Sequence, residues 1–466
     1  MAVGVKVGIL KPEAVDKCVR SYFTKKLYKV CITGDGRYII YDAILDEVDV
    51  ERVQRFFDRV SRGEFPGEKL DPRIKHIVDR HVNGYGLLEG LLMDDDVVDV
   101  FAISGVPISI VHKEYGRLET NIVLEEEDLI EIILRASNLA GKGVSERRPI
   151  PSFIEPRYNS RFSVVYRSDI NARGYVALDI RKQPPNPWSI FRLIDLNTIS
   201  LDMASFLWLM VKYKVPIMVV GELFTGKTTT INSLLSLIPP DSRVFTIEDA
   251  PELVAPTRYW IRTITREDVD NPQDRIGVFQ LIKIAVRMSV DYVIVGEVRG
   301  EEAREWAQAI LLGHGGLTSF HSATVEAALL RLKSPPIEVP DQALRYLNVF
   351  VKMEPLETEE GRLRRIAKIY LYDEGRTHLA YTYDPAKGEF GRVINPLNLP
   401  FIDRVAKGHG LKTEDLKVEL EAMREVLART MEELVENYGD TGRIPFREVP
   451  QIIYSRLDRA LKGGGF

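Results

Sequence analysis

The sequence predicts an α/β protein, with an N-terminal α/β domain, a second domain built on a parallel sheet, and a helical C-terminal extension. Three observations predict this fold. At 466 residues, the chain is longer than one compact core usually accommodates. Apolar runs alternate with helical segments between residues 214 and 335, as in a parallel sheet flanked by helices. A glycine-rich loop with a lysine, residues 221–228, directly follows one of those apolar runs.

The composition indicates a folded protein, because 45% of the residues are apolar and 28% are charged. The net charge is −5, from 63 basic and 68 acidic residues, and this gives no global electrostatic case for binding nucleic acid. No apolar run approaches the roughly 18 residues that span a bilayer. The first ten residues lack the basic start and the apolar core of a signal peptide. We therefore expect a cytoplasmic protein with no nucleic-acid partner.

Changes in composition along the chain predict its domain organisation. Prolines in Gln183-Pro-Pro-Asn-Pro187 exclude a helix or a central strand, which predicts a linker. Near the C-terminus, apolar residues recur every three or four positions from 416 to 434, with Thr413 as a plausible helix cap. The predicted regions are 1–65 (variable N-terminal region), 66–182 (N-terminal α/β domain), 183–188 (linker), 189–395 (nucleotide-binding core) and 396–466 (helical C-terminal subdomain).

Hydrophobic periodicity predicts the principal helices and strands. The predicted helices are 46–60, 74–82, 125–140, 202–213 and 228–237. The predicted strands are 28–41 (broken at Gly34-Asp-Gly36), 97–103, 108–111, 162–166, 175–180, 216–220, 244–247 and 292–295, followed by an antiparallel extension of 349–353, 365–372 and 378–383. The terminal Gly463-Gly-Gly465 predicts a flexible tail.

The two cysteines, Cys18 and Cys31, are too few for a four-ligand zinc site. We expect them to be unpaired reduced thiols, as is usual inside cells. A disulfide is the alternative if the source is a hyperthermophile, where intracellular disulfides occur.

The segment Gly221-Glu-Leu-Phe-Thr-Gly226-Lys227-Thr228 fits the phosphate-binding pattern G-x-x-x-x-G-K-[ST], between a predicted strand and a predicted helix. Glycines let backbone N–H groups surround a phosphate, and the helix N-terminus adds a partial positive charge. Lys227 is expected to reach the β- and γ-phosphates, and Thr228 to bind Mg²⁺. The predicted nucleotide-binding residues are Gly221, Thr225, Gly226, Lys227, Thr228 and Thr229.

Two further apolar runs each end in carboxylates. Strand 244–247 leads into Glu248, and strand 292–295 leads through a glycine into Glu297. The C-terminal ends of parallel strands form the ligand-binding edge of such a sheet, where the phosphate loop also lies. One carboxylate can then hold Mg²⁺, while the other orients the attacking water.

Two of the seven histidines, His314 and His321, fall within eight residues of each other in a glycine-rich segment. A neutral imidazole can hydrogen-bond a γ-phosphate or an attacking water. We expect this role for His321. For His314 the sequence leaves a functional and a structural role equally open.

In this order, the phosphate loop, Ile247-Glu-Asp249, Gly296-Glu-Val-Arg299 and the histidine segment resemble the type II/type IV secretion ATPase superfamily. Members of that family are motors of secretion systems, type IV pili and archaeal flagella, and the four motifs are called Walker A, Asp box, Walker B and His box. The segments 115–122 and 335–340 resemble the archaeal branch. The resemblance covers roughly residues 85–460, and it implies a RecA-like ATPase core over 189–395.

The resemblance also implies roles for individual residues. Glu297 supports the metal, Glu248 is the preferred water-activating carboxylate, and His321 contacts the γ-phosphate. Arg161 and Arg181 match family arginines that approach the nucleotide at subunit interfaces. The chain departs from the family at Leu223-Phe224-Thr225, where smaller residues are usual, and at Gln183, where an aromatic residue is usual.

The implied function is a Mg²⁺-dependent ATPase that assembles as a hexameric ring. The ring would act on a polytopic membrane platform protein, at the inner face of the cell membrane, and thereby move pilin-like subunits. The alternative is a nucleic-acid translocating hexameric ATPase, which requires basic and aromatic pore loops that the sequence does not display. A non-hydrolysing nucleotide-dependent scaffold is a second alternative, and the complete series of carboxylates and histidine argues against it.

Overall fold

A computed structural model of the chain describes residues 9–13, 17–46, 48, 51, 55, 59, 71–168, 175–183, 186–266, 272–358 and 361–463. The chain divides into two compact units, an N-terminal unit, Met1–Pro185, and a C-terminal unit, Asn186–Phe466. Parts of three expectations lie outside the described residues: most of the helix over 46–60, the two prolines of the linker at 184 and 185, and the tail after Gly463.

The N-terminal unit is built on one nine-stranded sheet in the order β1-β2-β3-β6-β5-β4-β9-β8-β7. Neighbouring strands are antiparallel except for β3 and β6, which are parallel. The strands are β1 (Cys18–Thr24), β2 (Tyr28–Thr33), β3 (Arg37–Asp42), β4 (Val97–Ile103), β5 (Pro107–His112), β6 (Gly116–Val123), β7 (Ser152–Glu155), β8 (Ser160–Val165) and β9 (Ala177–Arg181). The helices are α1 (Pro72–Val82), α2 (Glu89–Met93) and α3 (Glu126–Leu139).

Alternation along these strands separates a buried from an exposed face. Val100, Phe162 and Leu178 are fully buried and share a core with the apolar stripe of α3, which includes Leu129 and Ile133. The strands on both sides of the predicted boundary at residue 65 belong to this one sheet, because β3 pairs with β6.

Cys18 and Cys31 form a disulfide, with their Cα atoms 5.4 Å apart, so the expectation of free thiols is wrong. The antiparallel pairing of β1 with β2 places Cys31 opposite Ser21, and a register irregularity after Cys18 brings the two cysteines together. The bond ties the edge strand β1 to its neighbour.

The C-terminal unit is built on a second nine-stranded sheet, in the order β12-β11-β13-β14-β10-β15-β16-β17-β18. Strands β12 to β15 in this order run parallel, and β15 to β18 run antiparallel, which confirms the predicted parallel sheet with an antiparallel extension. The strands are β10 (Ile217–Gly221), β11 (Val244–Glu248), β12 (Trp260–Ile264), β13 (Tyr292–Val298), β14 (Gly315–His321), β15 (Val349–Thr358), β16 (Gly361–Asp373), β17 (Arg376–Asp384) and β18 (Glu389–Arg392).

Helices cover both faces of the parallel part of this sheet. Val219 shares one core with the helices Leu201–Lys212 and Thr413–Tyr438, while Val220 shares another core with the helix Glu302–Leu311. The helices are α4 (Ile190–Asp195), α5 (Leu201–Lys212), α6 (Lys227–Leu235), α7 (Val278–Arg287), α8 (Glu302–Leu311), α9 (Val325–Lys333), α10 (Asp341–Leu344), α11 (Pro400–Gly408), α12 (Thr413–Tyr438) and α13 (Val449–Leu461).

The C-terminal helices form part of the core of this unit. Leu416, Met423 and Leu427 are fully buried, so the apolar stripe of α12 packs inside the molecule. The cap prediction was one residue off: Thr413 is the first residue of α12, and Lys412 is the N-cap. Across the described parts of the chain, no helix combines the length and the apolar character needed to cross a bilayer.

We predict that reducing the disulfide destabilises the N-terminal unit. The bond closes a loop with a sequence separation of 13, and a loop of that size is worth about 3 kcal/mol of unfolding free energy. Calorimetry of the wild type with and without dithiothreitol measures the effect. In the Cys18→Ser variant the reductant should change nothing, and an equal response of the two proteins would contradict the prediction.

Candidate nucleotide-binding site

The phosphate loop joins β10 to α6 and is closed by its own hydrogen bonds. Thr225 Oγ1 and Lys227 Nζ both donate to the carbonyl oxygen of Glu222, at 2.9 and 2.8 Å. A Cβ atom at Gly221 would lie only 2.5 Å from Thr225 Oγ1, so this position accepts only glycine. Gly226 has a φ of +92°, which glycine adopts without strain, and it is the N-cap of α6.

The first turn of α6 offers the donors that a phosphate needs. The first N–H groups of an α-helix have no acceptor within the helix, and they carry the positive end of its dipole. In α6 these groups belong to Lys227, Thr228 and Thr229. Burial lowers the pKa of Lys227, and the nearby carboxylate of Glu297 acts in the opposite direction.

Glu248, at the end of β11, is a buried carboxylate with only 4% of its surface exposed. Its Oε1 accepts hydrogen bonds from the backbone N–H groups of Glu252 and Leu253, at 2.7 and 2.6 Å. Its Oε2 lies 3.5 Å from Arg262 Nε. Burial raises the pKa of Glu248 to about 7, although the two hydrogen bonds and Arg262 act in the opposite direction. A carboxylate with a pKa near neutrality is suited to general-base chemistry.

Glu297 lies near the end of β13, directly after Gly296, and Gly296 lies next to Glu248 of the neighbouring strand. A Cβ at Gly296 would contact Glu248 Cγ at 3.5 Å, which shows how closely the two strand ends approach. Arg299 donates to Glu297 Oε2 from Nε at 2.9 Å and from Nη2 at 2.5 Å. The β13–β14 register is irregular between Val295 and Val298, so Glu297 lies in the irregular stretch.

His321 ends β14 and pairs in register with Gly221, the first residue of the phosphate loop. Its Nδ1 is buried and has no hydrogen-bond partner within the described part of the chain. An unsatisfied buried polar atom beside a phosphate loop indicates a position for a polar ligand.

His314 precedes β14 at the opposite end of the strand, about 20 Å away at 3.3 Å per residue. Its Nδ1 lies 2.7 Å from the carbonyl oxygen of Val290. This contact favours the structural role for His314, which the sequence had left open.

The residues at the sheet edge fit a Mg²⁺ ion. Thr228 supplies a hydroxyl in the first turn of α6, and Glu297 supplies a carboxylate with one oxygen held by Arg299. Within the described ranges, no group of three His, Cys, Asp or Glu side chains could hold a metal by itself. Mg²⁺ typically uses one or two carboxylates together with nucleotide phosphates and water, so it does not require such a group.

Arg161 and Arg181 lie in the N-terminal unit, whereas every phosphate-loop residue lies in the C-terminal unit. They face each other directly across β8 and β9, and both are exposed. Arg161 Nε donates to Ser152 Oγ at 3.0 Å, and Arg181 Nε lies 4.0 Å from Asp99 Oδ1. Like charges directly opposite each other in a sheet are destabilising, and Asp99 lies close enough to Arg181 to offset part of that cost.

Arg262 and Arg299 both contact the predicted carboxylates, although no role was predicted for either from the sequence. Arg262 lies on the edge strand β12 opposite Thr246 and stacks on Trp260, with Cζ 5.3 Å from the ring centre. For Arg299, the two-residue spacing from Glu297 was a usable signal. For Arg262 no sequence signal was available, because β12 lacks a distinct apolar pattern.

Two of the residues that depart from the family pattern, Leu223 and Phe224, lie at the surface. Leu223 and Phe224 expose 65% and 71% of their surfaces, while the smaller Thr225 is the buried member of the trio. Phe224 has a φ of +60°, which is strained for a bulky side chain. Gln183 accepts a hydrogen bond from Asn159 through its side-chain oxygen.

Residues 171–340 match the family model described as type II/IV secretion system protein. An uncharacterised protein of Methanocaldococcus jannaschii is 31% identical over 436 residues, which cover 91% of this chain and 76% of that relative. The chain belongs to the type II/IV secretion system protein family. This confirms the resemblance that the four motifs carry.

Two further comparisons match named proteins. The type IV secretion system protein PtlH of Bordetella pertussis is 31% identical to this family member over 180 residues, which cover 36% of the chain and 53% of PtlH. Among solved structures, the ATPase DotB of Legionella pneumophila matches with a TM-score of 0.45 and 18% identity, covering 66% of the chain and 84% of DotB.

For this secretion-family protein we predict that Phe224→Gly is more stable than Phe224→Ala by about 1 kcal/mol, because only glycine adopts a positive φ without strain. Urea unfolding of the C-terminal unit measures the difference. The neighbouring Leu223 is the matched control, since it is not among the residues with positive φ. There the alanine variant should be the more stable of the two, and the same order at both positions would contradict the strain at Phe224.

Proposed function

We propose that the chain is an ATP-hydrolysing, Mg²⁺-dependent motor of the type II/IV secretion family. The observation that carries the proposal is that three groups lie at the C-terminal ends of strands in the second sheet. These are the phosphate loop with Lys227, the buried carboxylate of Glu248, and the unsatisfied Nδ1 of His321 beside Gly221. A phosphate site, a base with a pKa near neutrality and a polar sensor together support phosphoryl transfer to water.

The proposed roles follow from this geometry. When ATP binds, Lys227 exchanges the Glu222 carbonyl for the β- and γ-phosphates, and the first N–H groups of α6 bind the same phosphate chain. Glu248 accepts a proton from the attacking water through Oε2, because Oε1 is already occupied by two backbone N–H groups. His321 donates to the γ-phosphate or to the water.

A bound Mg²⁺, held by Thr228 and Glu297, would neutralise charge on the phosphates. Arg299 fixes the Glu297 carboxylate through one oxygen and leaves the other directed to that role.

The proposed assembly is a hexameric ring in which Arg161 and Arg181 of one copy approach the nucleotide of the next. The two exposed arginines lie side by side, and a γ-phosphate would be attracted to their combined positive charge. An arginine supplied in trans in this way raises phosphoryl-transfer rates by about 10³ to 10⁵ in other systems.

At the level of the cell, we propose that the ring lies peripherally on the inner face of the membrane. It passes its motion to a polytopic membrane platform protein, and so drives assembly or retraction of a pilus-like filament of pilin-like subunits, or type II-like secretion. The net charge of −5 gives nucleic acid no general attraction to this motor.

We predict that ATP hydrolysis decreases as the pH falls through about 7. Glu248 must be ionised to accept a proton, and burial raises its pKa to about 7, so the active fraction grows as the pH rises through that value. A kcat profile between pH 5.5 and 8.5 measures this. In Glu248→Gln hydrolysis should be nearly abolished, while ATP is still bound. A flat wild-type profile would assign the base to another residue.

We also predict that the active sites are shared between copies. Lys227→Ala removes the positive charge that contacts the β- and γ-phosphates, and Arg161→Ala removes the arginine that would reach the neighbouring copy's nucleotide. Each variant alone should therefore be nearly inactive. Mixed rings contain some interfaces with an intact lysine and an intact arginine, and mixing should therefore restore part of the ATPase rate.

Subunit exchange between the two variants is first verified with labelled protein. A double variant carrying both substitutions is the matched control, because mixing it with either single variant creates no interface with both residues intact. Failure of rescue despite exchange, together with a monomer that hydrolyses ATP at the full rate, would contradict the ring. Full activity of a folded Lys227→Ala protein would contradict the nucleotide site itself.

A further inference from the structure

The hairpin of β15 and β16 packs directly against the phosphate loop. Strand β15 runs parallel to β10, with Lys352 opposite Val220. A Cβ at Gly221 would lie 3.1 Å from Met353 Cβ, and Thr230 Oγ1 of α6 lies 3.2 Å from Met353 Sδ. The loop therefore has a second wall, on the side away from β14 and His321.

This wall contains a buried lysine. Lys352 exposes only 5% of its surface, and its Nζ donates to the backbone carbonyl of Met353 at 3.1 Å. No carboxylate in the described parts of the chain forms an ion pair with it. Its register partner on β16 is another lysine, Lys368. Like charges directly opposite each other destabilise a sheet unless an anion compensates them.

An arginine of the same hairpin lies over the turn of the loop. Arg364 Cδ would be 3.4 Å from a Cβ at Gly226, the residue from which α6 begins. Arg364 is exposed, and none of the described carboxylates forms an ion pair with it. Its neighbour Arg365 is buried instead, and donates to the carbonyl oxygens of Leu196 and Arg364. Among the described arginine side chains of this hairpin, Arg364 is therefore the one with a guanidinium available next to the loop.

We propose that Arg364 binds the phosphate chain of the nucleotide in the same copy of the protein, and that Lys352 adds positive potential behind it. The proposal rests on the proposed nucleotide site and adds to it a contact from the antiparallel part of the sheet. Arg364 lies beside Gly226, where the loop turns into α6, whereas Glu297 and His321 lie on the other strands of the edge. Arg364 therefore contacts the phosphates that ADP and ATP share.

The charges support this arrangement. Burial lowers the pKa of Lys352, while the nearby carboxylates Glu354 and Glu222 act in the opposite direction. Lys352 in turn contributes to lowering the pKa of Lys227. This effect shows that Lys352 lies near Lys227. A polyphosphate that binds beside Lys227 and Lys352 would neutralise their positive charge.

The test is the affinity of Arg364→Met for ADP and for inorganic pyrophosphate, measured by calorimetry on the full chain. Loss of a hydrogen bond to a charged group should weaken both ligands about tenfold or more. Arg364→Lys should retain part of the affinity, because it keeps the charge. Arg376→Met, which removes an exposed arginine from the neighbouring strand β17, is the matched control and should bind like the wild type.

Pyrophosphate separates the phosphate contact from a contact with ribose or base. If Arg364→Met weakens ADP and leaves pyrophosphate unchanged, Arg364 contacts the nucleoside and the proposal is wrong. If neither affinity changes, Arg364 makes no contact and the proposal is also wrong. A wild-type protein that binds neither ADP nor pyrophosphate would instead overturn the proposed nucleotide site. Unchanged thermal unfolding of the unligated variant excludes a folding defect, as expected for an exposed side chain.

Discussion

The proposed nucleotide site depends on β10, which is buried on both faces and paired on both edges. Met218 and Val220 belong to one core, and Ile217 and Val219 to the other, so the strand cannot slip by one residue without reversing both sets. Its parallel registers with β14 and β15 place Gly221 beside His321 on one side and beside the Lys352–Met353 segment on the other. The loop therefore begins from a fixed point.

Several groups at this edge are held in energetically unfavourable states. Glu248 is a carboxylate buried to 4% exposure, and Lys352 is a lysine buried to 5% exposure. In the N-terminal unit, Arg161 and Arg181 face each other with the same charge. Burying or pairing charges in this way costs stability, and such costs concentrate at functional sites. In the proposed motor, the bound polyphosphate would compensate the cations Lys352, Arg161 and Arg181.

Most of the polar residues at these strand ends could be located from the sequence, because they directly follow strands with a strong apolar pattern. Glu248 and His321 each end a strand with mostly buried residues, and parallel strands bring their ends together. The α/β class and the antiparallel extension could be predicted for the same reason. Long-range pairing could not: β3 joins the larger part of its sheet by pairing Arg37 with Glu119, and no local pattern indicates that contact.

Residue positions that depend on an irregular strand register could not be predicted from the sequence either. The disulfide between Cys18 and Cys31 forms next to an irregularity in β1, and Met353 lies where the β15–β16 pairing shifts. Arg364 reaches the loop only because of how that hairpin lies on β10. The register shifts in these two strand pairs are of one residue, and hydrophobic periodicity does not resolve a shift of that size.

Arg364 and the pair Arg161 and Arg181 would have different functions in the proposed motor. A ligand can drive a conformational change only by the difference between its affinities for the two states. In the proposed arrangement, Arg364 contacts phosphates that ADP and ATP share, so its contact does not change when ATP is hydrolysed. Arg161 and Arg181 are proposed to contact the γ-phosphate, which hydrolysis removes. The N-terminal unit would therefore be the part of the ring that distinguishes ATP from ADP, and its movement would follow the loss of that one contact.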